Sequence, residues 1–179
     1  MSKEGLALRG ISPFVSKIFR NYRVPVGATI LDIPCGYGRH SKWLIELGFK
    51  ITAADIEADR ISSFTSLASV EASDPSCAGI ELDANKPLPF ANAAFDVALT
   101  IDFVSPPLLA GIAGYLKPGG LFIYQTMAAR GHNWRGLPLP GQTLAILARD
   151  FEVMEYIARP AGPTKSEAET VAILARLKI

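Results

Sequence analysis

The stretch LDIPCGYGRH, residues 31–40, joins an apolar run that ends in Asp32 to a bend through Pro34, Gly36 and Gly38, after which a helical pattern begins. A glycine-rich turn between a strand and a helix lets a ligand approach the backbone closely, and the bare N-terminus of the helix favours negative charge. The stretch therefore predicts the first strand–turn–helix unit of a nucleotide-binding α/β fold. It leaves open which nucleotide the turn would hold.

Outward from this stretch, short apolar runs alternate with helical patterns. The predicted strands are ATILDI, FKITAAD, GIELDA, FDVALTID and GLFIYQT, and the predicted helices lie at 40–48, near 57–71 and near 106–116. Gly48 stops the first of these helices, and a turn at KPGG precedes the last of these strands. Continuous apolar strands separated by helices are typical of a parallel sheet covered on both faces. The sequence therefore predicts a doubly wound α/β fold.

Two flanking segments extend this pattern. Ser12 as N-cap and Pro13 in the first turn predict an amphipathic helix over 12–23. Towards the other end, a helix near 141–149 precedes two strands, FEVMEYIA and TVAILARLK, with no helix-length apolar segment between them. So short a connection predicts an antiparallel pair, and hence a mostly parallel sheet that finishes with one reversed strand.

Composition limits the partners of this chain. Its 179 residues, 49% of them hydrophobic, fit one domain, and eighteen Lys and Arg against seventeen Asp and Glu give a net charge of +1. No overall field would attract nucleic acid or an anionic membrane. Cys35 and Cys77 lack metal-ligand spacing, which indicates reduced thiols in a cytoplasmic protein and no metal site. Neither an export signal nor a membrane span is expected from the apolar pattern.

The glycine loop departs from the pattern that binds a dinucleotide. That fingerprint is G-x-G-x-x-G, but Ser41 occupies the third glycine position. Pro34 supplies no N–H donor, and Asp32 would repel a phosphate while it could receive an ammonium group. A zwitterionic amino-acid moiety, such as that of S-adenosylmethionine, fits this mixture of charges.

Acidic residues also end the next two strands. Asp55 can accept hydrogen bonds from both hydroxyls of a ribose. Asp83 can accept one from the exocyclic amino group of adenine, while the Ala84 N–H reaches a ring nitrogen. A single acid at such a place is more often a turn or helix cap. Acids at three consecutive strand ends favour a ligand site.

These motifs together resemble the class I S-adenosylmethionine-dependent methyltransferases, over residues 12–179. They follow one another in order: LDIPCGYGRH, AADIEADRI, ELDANKPLPFANAAFDVAL and LKPGGLFIYQT. The resemblance implies a Rossmann-like sheet of seven strands with the last strand antiparallel, which agrees with the hairpin inferred from the C-terminal sequence. Glycine is the commonest residue at this position of the family's loop. This chain has Pro34 there, as does a known variant of the loop.

The resemblance implies S-adenosyl-L-methionine as the cofactor and one methyltransferase domain over 1–179. We expect an N-terminal helix at 12–23, a cofactor-binding core at 28–127, and a substrate loop, helix and β-hairpin at 128–179. The candidate cofactor-binding residues are Asp32, Pro34, Cys35, Gly36, Gly38, Asp55, Ile56, Asp83, Ala84 and Ile101.

The loop 128–140 follows a strand and so should emerge at the ligand-binding edge of the sheet. In GHNWRGLPLPGQTLAIL it collects His132 and the candidate substrate residues Asn133, Trp134 and Arg135. This segment is similar to small methyltransferases of the tellurite-resistance type, which act on small or chalcogen-containing molecules. The similarity implies a small-molecule methyl acceptor.

The acceptor atom decides whether a catalytic base is needed. For a thiolate or selenide, alignment can suffice, since orientation gains about 7 to 11 kcal/mol. An oxygen or nitrogen acceptor can need a general base, for which His132 and Asp102 are the candidates. Three of the candidate residues also have a purely structural interpretation. His132 can be an ordinary loop residue, Trp134 a packing aromatic and Cys35 a small residue that fills the loop.

Other functions stay open at this point. The chain could bind the cofactor without methyl transfer, because no catalytic group is unmistakable, or it could methylate a macromolecule. An NAD-dependent oxidoreductase is disfavoured by Ser41 and Asp83. A monomer and a homodimer both remain compatible with the sequence.

Overall fold

Seven β-strands lie within the described residues, which are 10–67, 77–129, 139–161 and 168–179 of the computed structural model. They are β1 (Thr29–Asp32), β2 (Lys50–Asp55), β3 (Cys77–Glu81), β4 (Phe95–Ile101), β5 (Leu116–Ala129), β6 (Phe151–Ala161) and β7 (Ala168–Leu177). The helices described are α1 (Pro13–Asn21), α2 (Arg39–Glu46), α3 (Ala58–Leu67), α4 (Pro106–Gly111) and α5 (Pro140–Leu147), and a 3₁₀ turn over Ile112–Tyr115 continues α4.

The strands form one sheet in the order β3-β2-β1-β4-β5-β7-β6. Three strand pairs, β1 with β2, β2 with β3 and β4 with β5, are parallel. β7 runs antiparallel to both β5 and β6. The predicted fold class is therefore confirmed: a mostly parallel, Rossmann-like sheet of seven strands with the last strand reversed.

The chain divides into two compact units, Met1–Ala84 and Asn85–Ile179. In the first unit β2 pairs with both β1 and β3, with Asp32 beside Ala53 and Asp55 beside Glu81. Because the three strands are parallel, their carboxyl ends meet at one edge of the sheet. This register places the residues that follow β1, β2 and β3 at a common edge.

Local signals determine where the first two helices begin and end. Ser12 Oγ accepts hydrogen bonds from the N–H groups of Phe14 (3.2 Å) and Val15 (3.4 Å), which confirms the predicted N-cap of α1. The α2 helix ends before Gly48, whose N–H donates to the Ile45 carbonyl at 2.8 Å. The helix predicted near 57–71 is described as Ala58–Leu67.

In the second unit, two boundaries differ from those predicted. The helix expected over 106–116 is α-helical only to Gly111 and ends as a 3₁₀ turn. The KPGG segment, predicted to be a turn, lies inside β5, because Leu116 already pairs with Phe95 and the register then shifts between Phe95 and Val97. An irregular strand can carry such a segment where a bulge absorbs the extra residues.

Candidate cofactor site

The loop after β1 is fastened to β2 by its own backbone. The Cys35 N–H donates to the Ala54 carbonyl at 2.8 Å, and the Gly38 N–H donates to the Cys35 carbonyl at 3.1 Å. Within this loop the Ile33–Pro34 peptide bond is cis. The loop is therefore a fixed element of the site, held over the carboxyl end of β2.

Gly36 and Gly38 both have left-handed backbones, with φ of +58° and +74°, a region that favours glycine. Among the described residues, no heavy atom lies within 4 Å of the position that a Cβ at Gly36 would take. A Cβ at Gly38 would instead collide with the ring of Phe64 on α3. Gly36 thus faces open space that a ligand can fill, while Gly38 allows α3 to pack against the loop.

Asp32 lies beneath the loop with only 1% of its surface exposed. The Ser41 hydroxyl donates to Asp32 Oδ2 at 2.6 Å. Burial raises the pKa of the Asp32 carboxyl from 3.8 to about 7, and the bond from Ser41 and the charge of Arg39 offset only part of this effect. A cationic group next to the loop would favour the ionised form. Sequence reasoning noticed Ser41 only as a missing glycine and not as the partner of Asp32.

Asp55, at the end of β2, links the loop to the segment that follows the strand. Its Oδ2 accepts from the Gly36 N–H at 2.9 Å, and its Oδ1 accepts from the Glu57 N–H at 3.1 Å. The Asp55 side chain has no exposed surface (0%). The carboxylate therefore organises the loop as well as being a candidate ribose ligand.

Arg60 is part of the same cluster, and sequence reasoning missed it. Its Nη1 lies 3.3 Å from Asp55 Oδ1, its Nη2 lies 2.7 Å from Glu57 Oε1, and its guanidinium carbon lies 5.9 Å from the centre of the Tyr37 ring. A basic residue in the first turns of a helix usually extends into solvent. Only the spacing of five residues from Asp55 could have suggested this contact.

The remaining candidates of the first unit differ in exposure. Ile56 is 58% exposed, unusual for a large apolar side chain, whereas Ala84 is buried and Asp83 is half-buried. Cys35 is buried too, and desolvation together with the nearby acids raises the pKa of its thiol well above the ordinary value. The thiol is therefore protonated and a poor nucleophile, in agreement with its interpretation as a loop filler.

Two candidates lie in the second unit, at the carboxyl end of β4. Ile101 is buried, whereas Asp102 is exposed and has a left-handed backbone with φ of +58°. The Asp102 N–H donates to the Gln125 carbonyl at 2.7 Å, which holds this conformation in place. Non-glycine residues with such backbones often occur at functional sites.

The catalytic candidate His132 and the substrate candidates Asn133, Trp134 and Arg135 lie outside the described residues, so their placement stays a prediction. Within the described part of the chain, no group of three or more His, Cys, Asp or Glu side chains could hold a metal ion. The described helices include none that is long and apolar enough to cross a membrane.

Comparisons with known proteins point to one family. The profile of a methyltransferase domain matches residues 30–120, from β1 into β5. A curated relative, the ubiquinone biosynthesis O-methyltransferase of Caulobacter vibrioides, is 34% identical over 142 residues, which cover 76% of this chain. The chain spans 50% of that relative's length.

Solved structures share the fold at lower identity. A SAM-dependent methyltransferase from Methanosarcina mazei superposes with a TM-score of 0.72 at 17% identity, over 96% of this chain and all (100%) of that one. The [4+2]-cyclase SpnF superposes with a TM-score of 0.76 at 18% identity, over 92% of this chain and 80% of that one. Such identities establish likeness of fold alone.

Proposed function

Since the chain belongs to the methyltransferase-domain family, we propose that it transfers a methyl group from S-adenosylmethionine to a small-molecule acceptor. The observation that carries the proposal is the arrangement at one sheet edge. There, the glycine loop opens at Gly36, and Asp55 and Asp83 stand at and just beyond the ends of β2 and β3. This edge of a doubly wound sheet is where ligands bind.

In this proposal the residues of the first unit divide the cofactor among them. Asp55 receives the ribose hydroxyls, Asp83 and the Ala84 N–H receive the adenine, and the exposed Ile56 covers the adenine face. The loop at Gly36 and the carboxyl of Asp32 lie beside the positively charged amino-acid end. S-adenosylmethionine supplies the electrophilic methyl group, so the task of the chain is to align an acceptor with it.

A small acceptor is supported by the curated relative, whose name describes an O-methyltransferase of ubiquinone biosynthesis. The net charge of +1 supports it as well, because it offers no general attraction for nucleic acid. Transfer to an oxygen needs a group that takes its proton. Asp102 is the candidate base within the described residues, and His132 is the second candidate.

A second candidate function is cofactor binding without methyl transfer, because SpnF, whose name describes a cyclase and not a methyltransferase, has the same fold. The same fold is found in a cyclase and in methyltransferases, so the fold does not distinguish between the two candidate functions. A measurement of methyl transfer distinguishes between the two candidate functions.

The test combines calorimetry and labelled turnover. We expect S-adenosylmethionine and S-adenosylhomocysteine to bind and NAD to show no heat of binding. We expect label to move to at least one member of a panel of phenols, thiols and selenols. NAD binding alone would overturn the proposal. Binding of S-adenosylmethionine without transfer to any member of the panel would favour the second candidate.

The role of Asp102 has its own experiment. If this carboxylate is the base for an oxygen acceptor, Asp102→Asn lowers turnover by about 10²-fold or more at an unchanged affinity for S-adenosylhomocysteine. The exposed Asp150 provides a matched control, since Asp150→Asn makes the same chemical change away from β4. Full turnover by Asp102→Asn would leave His132, or no base at all.

A further inference from the structure

Arg60 covers the carboxylate that the proposed function assigns to the ribose. The Asp55 side chain is 0% exposed, whereas that of Arg60 is 28% exposed. Backbone N–H groups of Gly36 and Glu57 already occupy one site on each carboxylate oxygen. Arg60 Nη1 spans the two oxygens, 3.3 Å from Oδ1 and 3.5 Å from Oδ2. The partly exposed guanidinium therefore covers both oxygens, and a ligand that bonds to both of them from that side has to replace it.

The guanidinium is bound more closely by Glu57 than by Asp55. Charged N–H···O bonds are usually about 2.7 to 2.9 Å long, so the two contacts to Asp55 are long ones. The contact to Glu57, at 2.7 Å, has the expected length, and the Glu57 side chain is 44% exposed. The Tyr37 ring offers a further, cation–π contact at 5.9 Å. Arg60 can therefore leave Asp55 while it keeps its contact with Glu57.

We propose that Arg60 is a specificity-determining residue, which leaves Asp55 only for a ligand with two vicinal hydroxyl groups; this inference rests on the proposed function. A ribose supplies two O–H donors, one for each carboxylate oxygen, and so replaces the guanidinium completely. A 2′-deoxyribose supplies one donor and leaves an oxygen of a buried carboxylate without its partner, which is unfavourable. Glu57 holds the displaced guanidinium.

Calorimetry with S-adenosylhomocysteine and its 2′-deoxy analogue tests the inference in the full chain. We expect Arg60→Gln to bind S-adenosylhomocysteine about two- to fivefold more tightly, because a partly exposed ion pair of that strength no longer competes. We also expect its preference for S-adenosylhomocysteine over the deoxy analogue to shrink, because water can then reach Asp55. The matched control is Arg20→Gln on the exposed side of α1, which should change neither quantity.

A second substitution tests the part played by Glu57. Glu57→Gln weakens the hold on the displaced guanidinium, so it should weaken binding of S-adenosylhomocysteine by a factor of about two to five. In the Arg60→Gln background the same change should have no effect. Far-UV circular dichroism verifies folding, and Arg60→Met, which also removes the charge and keeps an unbranched side chain, replaces Arg60→Gln if that variant does not fold.

Each contrary outcome overturns the inference in a distinct way. Weaker binding by Arg60→Gln with an unchanged preference would make Arg60 a cofactor ligand. Unchanged affinity and preference would leave it a structural residue. No binding of S-adenosylhomocysteine by the wild type or by Arg20→Gln would overturn the proposed function and this inference with it.

Discussion

Gly36 and Gly38 stand two positions apart in one loop, and their surroundings assign them different tasks. Both need a left-handed backbone, but only Gly38 is pressed against a side chain, the ring of Phe64. The first glycine is open towards the ligand edge and the second belongs to the packing of α3. A sequence motif that contains both residues does not distinguish these tasks.

The first prediction compares the two glycines directly. We expect Gly36→Ala to lower the free energy of unfolding by about 1 to 2 kcal/mol, the usual cost of a left-handed alanine. Gly38→Ala should lower it by about 2 to 5 kcal/mol, because overpacking against Phe64 is added to the strain. Urea denaturation measures both. Equal losses would show that the Phe64 ring moves aside without cost.

A buried acid makes the stability of this protein depend on pH. In the unfolded chain the Asp32 carboxyl has its ordinary pKa of 3.8, and in the folded chain its pKa is raised to about 7. Between these values the folded state keeps a proton that the unfolded state loses. A rise in pH therefore favours unfolding, and the stabilisation present below pH 4 is lost as pH passes through about 7.

The second prediction isolates this contribution with Asp32→Asn, which keeps an acceptor for Ser41 but cannot ionise. Relative to the wild type, the variant should gain about 2 to 3 kcal/mol in unfolding free energy between pH 5 and pH 8, at about 1.4 kcal/mol per unit of pKa. Urea denaturation at the two pH values provides the comparison. The exposed Asp150→Asn should show little change, and a constant difference for Asp32→Asn would contradict the assignment.

The positions of the acids, but not their partners, could be read from the sequence. An apolar run ends at Asp32 and another at Asp55, and this pattern of neighbouring residues identifies both positions. The bonds from Ser41 to Asp32 and from Arg60 to Asp55 depend on how α2 and α3 are oriented against the strands. Periodicity carries no information about such orientation.

Ser12 makes two kinds of hydrogen bond at the start of α1. Its hydroxyl caps the helix, and its backbone N–H donates to Nε2 of His40 on α2 at 3.2 Å. The cap binds the first free N–H groups of α1, and the backbone bond joins α1 to α2. Both contacts are buried, so water cannot readily replace them.

The third prediction concerns this cap. Ser12→Ala should lower the free energy of unfolding by about 0.5 to 2 kcal/mol, because the first N–H groups of α1 lose their acceptor. Ser16→Ala, inside the same helix, makes the identical change without a cap and should be neutral or slightly stabilising, since alanine is the better helix former. Thermal denaturation of both variants is sufficient. A loss of the same size at Ser16 would mean that the cap contributes nothing.

The fourth prediction concerns β4, where the Thr100 hydroxyl is buried and, within the described residues, has no hydrogen-bond partner. Thr100→Val keeps the shape and removes the unpaired group. We expect the free energy of unfolding to stay unchanged or to rise by up to about 1 to 2 kcal/mol. The contrasting variant is Ser105→Ala, which removes a buried hydroxyl that caps α4 and should be destabilising. A clear loss in Thr100→Val would reveal a partner for the hydroxyl.

Helices with polar caps were easier to predict than strand boundaries. Ser12, Pro13 and Gly48 act on their immediate neighbours, so their effect is visible in sequence. The start of β5 at Leu116 is set by its pairing with Phe95, about twenty residues away, and this pairing takes KPGG into the strand. Pairing between residues distant in sequence therefore outweighs the local turn preference of KPGG.

For the whole molecule, ligand binding and folding should be linked. The fifth prediction is that S-adenosylhomocysteine at a hundred times its dissociation constant stabilises the chain by about 2.7 kcal/mol, because it binds only the folded state. For a protein of this size the melting temperature should then rise by about 5 to 10 °C. Differential scanning fluorimetry measures the shift. NAD at the same concentration should produce none, and a shift with NAD alone would contradict the assignment of the cofactor.

The alternation of strands and helices along the chain predicts the parallel sheet, and the short connection between the last two strands predicts that β6 and β7 pair antiparallel. The alternation could not show that β7 lies between β5 and β6. That order follows from the long pairing of β7 with both neighbours, which joins residues far apart in sequence.

The interior position of β7 has a consequence for synthesis. The ribosome completes β5 and β6 before it adds residues 168–177, which provide the hydrogen-bonding partner of both strands. Until residues 168–177 have left the ribosome and paired, the edges of β5 and β6 that β7 covers stay open, and open strand edges favour aggregation. Any delay between the emergence of β5 and β6 from the ribosome and the pairing of residues 168–177 with them would therefore favour aggregation, and a chaperone that covers these two strand edges would protect the nascent chain.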